Sequence, residues 1–212
     1  MDYRGFKKKF GHLPVIETRT VIHMTGESAQ TVRNQFHRWS KQGLLEKLRN
    51  GYYLLNESER KRAPEPFFIA NRLYEPSYVS METALSMYGF IPEYVAAVTS
   101  IATRKTKMFT NSLGTFRYQQ VQPGAFRGFR EVPLNGMKVW MAEPEKAIVD
   151  FLYFHCAEFT NDCVSVLEGS YRFQHLEGVK IGRLREMGAV FRSKKLMRVI
   201  EALAAMVRGE KR

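Results

Sequence analysis

The sequence predicts an α+β chain, with an N-terminal winged helix-turn-helix followed by a second, mixed α/β domain. Three observations predict it. Short helical patterns broken by Gly11, Gly26 and Gly43 lead directly into a hairpin signal at Asn50-Gly51. A polar, charged stretch ending in two prolines, Asn56 to Pro66, has the composition of an exposed linker. Beyond it, helical and β-rich patterns alternate with no internal repeat. The expected division is residues 1–58, a linker at 59–66, and residues 67–212.

The elements follow in order. Tyr3 to Phe10 reads as a basic amphipathic helix, with Phe6 and Phe10 four apart and Lys7, Lys8 and Lys9 between them. A second helix is expected over Ile16 to Met24. The third has the clearest signals: Ser28 can cap it, and Gly43 stands where a C-terminal glycine belongs. Val32, Phe36 and Trp39 follow the i, i+4, i+7 rule and form its inner stripe. Leu44 to Leu55 reads as two short strands turning at Asn50-Gly51, the strongest two-residue hairpin signal. Helix, helix, helix, hairpin is the winged-helix order.

In the second domain, Phe67 to Tyr74 and Ser80 to Tyr88 read as helices, the latter closed by Gly89. Ala96 to Thr103 is rich in β-formers, and hairpins are expected to turn near Asn111 to Gly114 and at Asn135-Gly136. Pro144 opens a long apolar helix through Phe154. Ser193 to Val207 carries Leu196, Val199, Ile200 and Leu203 on one face. That stripe could be covered by a second copy, which suggests a homodimer on DNA.

Charge adds the partner class. The formal net charge is +12 and the sequence pI near 9.8, which favours polyanions, nucleic acid first and an anionic membrane second. Residues 1–62 hold net +7, residues 63–98 net −3 and residues 99–140 net +6, so two basic blocks flank an acidic one. No stretch approaches the ~18 apolar residues of a spanning helix. The charged start and the two cysteines, Cys156 and Cys163, point to a reducing, cytoplasmic setting with no membrane partner.

Opposite the apolar stripe of the third helix stand Gln30, Asn34, His37, Arg38 and Lys41, with Arg33 at the border. Arg can grip guanine, and Asn or Gln adenine, through two hydrogen bonds each. Lys47, Arg49 and Asn50 belong at or near the wing tip, where contacts to phosphate position a protein on DNA. The plainer alternatives are that these polar residues simply face water, and that the winged helix serves protein docking only. In the second basic block, Arg104, Lys105, Lys107, Arg117, Arg127 and Arg130 alternate with Phe109, Phe116, Tyr118, Phe126 and Phe129. Such a strip could hold single-stranded nucleic acid or an acidic protein, but alternation alone gives a half-buried sheet with aromatics inward. Lys146 and Asp150, four apart, can pair on a helix surface.

Several motifs occur in a specific order. They are Arg49-Asn50-Gly51-Tyr52-Tyr53-Leu54, Ile69-Ala70-Asn71-Arg72-Leu73-Tyr74, and Ser77-Tyr78-Val79-Ser80-Met81-Glu82-Thr83-Ala84-Leu85 with Gly89-Phe90-Ile91-Pro92. The last is Pro144-Glu145-Lys146-Ala147-Ile148-Val149-Asp150-Phe151-Leu152-Tyr153. Over about residues 44 to 153 the set resembles the AbiEi-like antitoxins of bacterial abortive-infection, type IV toxin–antitoxin systems. The resemblance implies a winged helix that represses its own operon; bacterial winged helices in general often read inverted repeats. It also implies a second domain that counteracts a nucleotidyltransferase-like toxin encoded next door, directly or indirectly.

No enzyme constellation stands out, and no cofactor is expected. A nucleotidyltransferase needs closely spaced aspartates after a Gly-Ser; Gly169-Ser170 is followed by Tyr171-Arg172-Phe173, and the aspartates are only Asp2, Asp150 and Asp162. His155, Cys156, Cys163 and His175 lack the spacing of a zinc knuckle. A metal nuclease built from Glu145, Lys146 and Asp150 would need two carboxylates to converge on one ion. The runner-up function is an ordinary winged-helix regulator whose second domain senses a small ligand.

Overall fold

A computed structural model describes residues 1–93, 95–159 and 162–209 as a mixed helix-and-sheet, α+β structure. Helix α1 (Tyr3–Phe10) starts on Asp2, whose carboxylate accepts from the Gly5 N–H, and it buries Phe6 and Phe10 as their spacing predicts. The expected second helix begins later than its pattern suggests. Ile16–Glu17 forms strand β1, and α2 runs Thr18–Thr25 to a left-handed Gly26. The reason is tertiary: β1 pairs antiparallel with β3, joining Ile16 to Tyr53 and Glu17 to Tyr52. Helix α3 (Ala29–Lys41) follows Ser28, whose hydroxyl accepts from the Thr31 N–H at 3.1 Å. Gly43, at φ 71°, lets the chain turn back so that Leu44 N–H reaches Trp39 O.

Strands β2 (Leu45–Arg49) and β3 (Tyr52–Leu55) complete a sheet of order β1-β3-β2. Its two faces serve different cores. Leu45 and Leu55 join Phe6, Phe10, Ile16, Val21, Val32, Phe36 and Trp39 in a smaller core. Leu54 points the other way, because successive strand residues alternate, and packs with Val15 and Leu48 into the larger core. These buried contacts cross the segment 56–66, where few were expected. The segment is anchored as well. Arg60 donates to Glu46 and to Leu55 O, Glu59 binds Tyr3 and Lys7, and Glu65 accepts from the Asn135 amide.

The larger core is built on a six-stranded sheet of order β6-β7-β5-β4-β9-β8. Helix α4 (Pro66–Leu73) leads into β4 (Ser77–Val79), α5 (Met81–Met87) and β5 (Ala97–Ala102). The predicted hairpins form as β6 (Lys107–Asn111) with β7 (Gly114–Gln120), and β8 (Phe129–Leu134) with β9 (Met137–Ala142). Phe116 and Tyr118 are fully inside, the inward alternative for the aromatics. Asn71 of α4 fills a gap in the sheet. Its side chain accepts from Trp140 N–H and donates to Trp140 O, groups that the short β4 does not reach.

Helix α6 (Pro144–Phe154) packs beside α5, and after a short turn α7 (Cys163–Ser165) the chain ends in α8 (Ile181–Ala189) and α9 (Lys194–Val207). Two expectations are corrected here. The stripe Leu196, Val199, Ile200 and Leu203 is buried within this chain, against the larger core, so it is no longer available for a second copy. Lys146 and Asp150 are not a surface pair; both are fully buried and bonded to each other. Among the described residues, no helix is long and apolar enough to cross a membrane.

Candidate nucleic-acid interface

Helix α3 owes its outer face to its inner one. Val32, Phe36 and Trp39 pack against Phe6 and Tyr53, with ring centroids 4.7 Å apart for Phe6–Trp39 and 4.9 Å for Phe36–Tyr53. That rotation leaves Gln30, Arg33, Asn34, His37, Arg38 and Lys41 all exposed, as the periodicity predicts. The Gln30 amide donates to Asn34 Oδ1 at 2.9 Å, which orients the two amides together.

The β2–β3 hairpin stands next to this face. Lys47 and Asn50 are exposed, whereas Arg49 is half-buried, its guanidinium 3.8 Å from the Tyr52 ring and 5.6 Å from that of Phe109. A cation over aromatic faces is held by their quadrupoles, so Arg49 is fixed in place rather than waving in solvent. Its Nε is buried without a partner. The hairpin is tied to β6 by the Asn111 amide, which donates to Leu48 O at 3.3 Å.

A cleft of about 890 Å³ opens between α2, α3 and the hairpin, lined by Arg19, Arg33, Arg49, Asn50 and Arg104. Its carboxylates are Glu17 and Glu75, and Arg72 binds both of them. The four lining arginines together with Arg72 outnumber these two carboxylates, so the cleft is net positive. On the other side of the hairpin a second groove, of about 640 Å³, is lined by Lys47, Arg49, Arg104 and Lys107. Arg104 lies in both, 4.6 Å over the Tyr74 ring, and donates to Glu75 O.

The six cations expected as one strip are therefore divided. Arg104, Lys105 and Lys107 lie at the β6 end, with Arg117 exposed on β7 beside Met108. Arg130 is on β8, at the opposite edge of the sheet, roughly 24 Å away at about 4.8 Å per strand spacing. Arg127 precedes β8 and shares a groove with Glu186 and Arg192. The cause is topological: residues 104–117 and 127–130 are near in sequence, but β4, β5 and β9 lie between them. Sequence reasoning missed Arg19, which it placed inside a helix beginning at Ile16.

A different cluster lies beneath the sheet. Asp150 takes a proton-bearing partner on each oxygen: the Lys146 ammonium on Oδ1, and on Oδ2 the Ser80 hydroxyl at 2.8 Å and the Tyr78 hydroxyl at 3.0 Å. Burial drives the Asp150 carboxyl above its ordinary range, while Lys146, Ser80 and Tyr78 pull it back down. Burial, reinforced by the Asp150 charge, holds the Tyr78 phenol well above its ordinary value. Every member is inside the core, and the cluster ties α6 to β4. Glu145, the other carboxylate weighed for a metal, points elsewhere and accepts from the Lys180 N–H at 3.0 Å.

Cys163 is buried, Cys156 is half-buried, and no disulfide joins them. Burial raises the Cys156 thiol. Among the described residues, no group of three or more His, Cys, Asp or Glu side chains converges to hold a metal ion. Compared with known proteins, the chain matches no family model and no curated protein.

Proposed function

We propose that this chain is a DNA-binding transcriptional repressor of its own operon, with residues 1–58 acting as a winged helix-turn-helix. The second part acts as the antitoxin to a nucleotidyltransferase-like toxin of an abortive-infection, phage-defence system. One observation supports the DNA reading most strongly. The exposed amides and cations of α3 adjoin a cleft whose four arginines come from four separate segments and outnumber its two carboxylates, both of which pair with Arg72. Such a surface suits the closely spaced charges of a duplex. In this reading α3 lies in the major groove, Asn34 and Arg38 contact base edges, and Lys47 and Asn50 follow the phosphates. Two protomers on an inverted repeat suit the usual symmetry of such operators.

The antitoxin role rests on the ordered motifs that resemble AbiEi-like proteins. Arg127 and Arg130 are the proposed contact for toxin neutralisation, because they lie away from the hairpin that faces DNA. Band shifts with the chain's own promoter fragment test the first role. Replacing Asn34 or Arg38 by Ala should weaken binding by about 1–3 kcal/mol and relax preference at one base position. Unchanged affinity in both variants overturns the assignment. Growth on co-expression with the neighbouring gene tests the second role. Arg127→Glu with Arg130→Glu should abolish rescue while leaving the band shift intact.

A further inference from the structure

A cavity of about 430 Å³ lies where the smaller core meets the larger one, at the end of β3 remote from the Asn50-Gly51 turn. Its volume falls within the usual range of small-molecule sites, which often sit at such junctions. Leu13, Leu55 and Met137 line it with apolar surface, and Arg60, Lys61 and Arg62 with charge. Among the described residues, no carboxylate lines it. Arg60 is already neutralised by Glu46. Lys61 and Arg62 are exposed and have no hydrogen-bond or ion-pair partner among the described residues. Arg62 lies close over the β8–β9 turn, its Nη1 3.4 Å from where a Cβ on Gly136 would stand. That position has φ 73° and favours glycine, so the guanidinium meets open backbone there.

An apolar floor beneath two uncompensated cations recognises a molecule with an apolar body and one anionic head. We propose that this cavity binds a small amphipathic carboxylate, its chain on Leu13, Leu55 and Met137 and its head on Lys61 and Arg62. The arginine fork suits a carboxylate in two-point contact. Another cavity, of about 340 Å³ beside Phe129 and Trp140, offers no comparable charge, because Arg72 and Lys138 there are each bound to glutamates. The proposed site joins the two cores, and it stands whether or not the chain binds DNA.

Titration calorimetry on the full chain tests it with three probes sharing one tail: octanoate, octan-1-ol and octyltrimethylammonium. Octanoate should bind at least tenfold more tightly than the alcohol, and the cation should not bind. Lys61→Gln with Arg62→Gln should lower octanoate affinity tenfold or more and leave the thermal midpoint unchanged, since neither side chain holds the fold. Pro64→Glu, which sets a carboxylate in the cavity lining, should weaken octanoate in the same way. Equal binding of all three probes, no octanoate binding, or full affinity in the Lys61/Arg62 variant overturns the proposal.

Discussion

Helices α3 and α6 each carry a polar pair at the same i, i+4 spacing, Gln30 with Asn34 and Lys146 with Asp150, and each pair is bonded. The first lies in solvent beside a cationic cleft; the second is sealed in the core with Tyr78 and Ser80 completing its bonds. Spacing along a helix thus fixes which side chains meet, but not what surrounds them. The surroundings come from other elements. For α3 they are α1 and the hairpin, which cover one stripe only. For α6 they are α5, α8 and α9, with Tyr78 of β4 reaching Asp150, and together they bury nearly all of it. An exposed pair contributes a few tenths of a kcal/mol, whereas a buried charge left without its partner costs several.

Breaking the buried pair should give the largest effect. Asp150→Ala strands the Lys146 ammonium in the core and should destabilise the chain by about 3–5 kcal/mol in urea unfolding. Replacing both together, as Lys146→Met with Asp150→Leu, should recover much of that loss. A double variant as unstable as the single one would mean that Asp150 acts mainly through Tyr78 and Ser80. The exposed surface sharpens the contrast from the other side. Arg104→Gln should cost no more than about 1 kcal/mol of stability, through its lost contact with the Tyr74 ring. It should also weaken duplex binding evenly across sequences and reduce the slope of log affinity against log salt by about 1. The smallest effect concerns Glu59, whose carboxyl is held below its ordinary range first by the Tyr3 hydroxyl and then by Lys7. A lowered carboxyl stabilises the fold above its unfolded pKa, and that gain is lost as pH falls through the lowered folded value. Tyr3→Phe should therefore cost about 0.5–1.5 kcal/mol at neutral pH. The gap from wild type should close as pH falls below the ordinary glutamate range and through the lowered folded value.

Much of the fold was legible in the residues because its signals were local. Ser28 and Gly43 bounded α3, Asn50-Gly51 and Asn135-Gly136 made the turns, and Pro144 opened α6. What escaped needed a distant partner. Ile16 and Glu17 look helical until β3 is there to pair with them. Residues 156–192 hold few periodic signals, so α8 went unseen, although it packs against α6. The outer face of α3 was readable because burial of Val32, Phe36 and Trp39 dictates it. The basic strip was not, because strand order in a mixed sheet is unrelated to order in the chain.

Arg49 seated between Tyr52 and Phe109, with Asn111 bonded to Leu48 O, has a hydrodynamic consequence. A β-hairpin on a free tether reorients faster than the body that carries it, and its amides relax accordingly. Here the hairpin is fastened to β6, so its amide nitrogens should share the rotational correlation time of the six-stranded sheet. In the proposed DNA-binding role, α3 and Arg104 would then meet a duplex as parts of one body, with the angle between them set before any encounter.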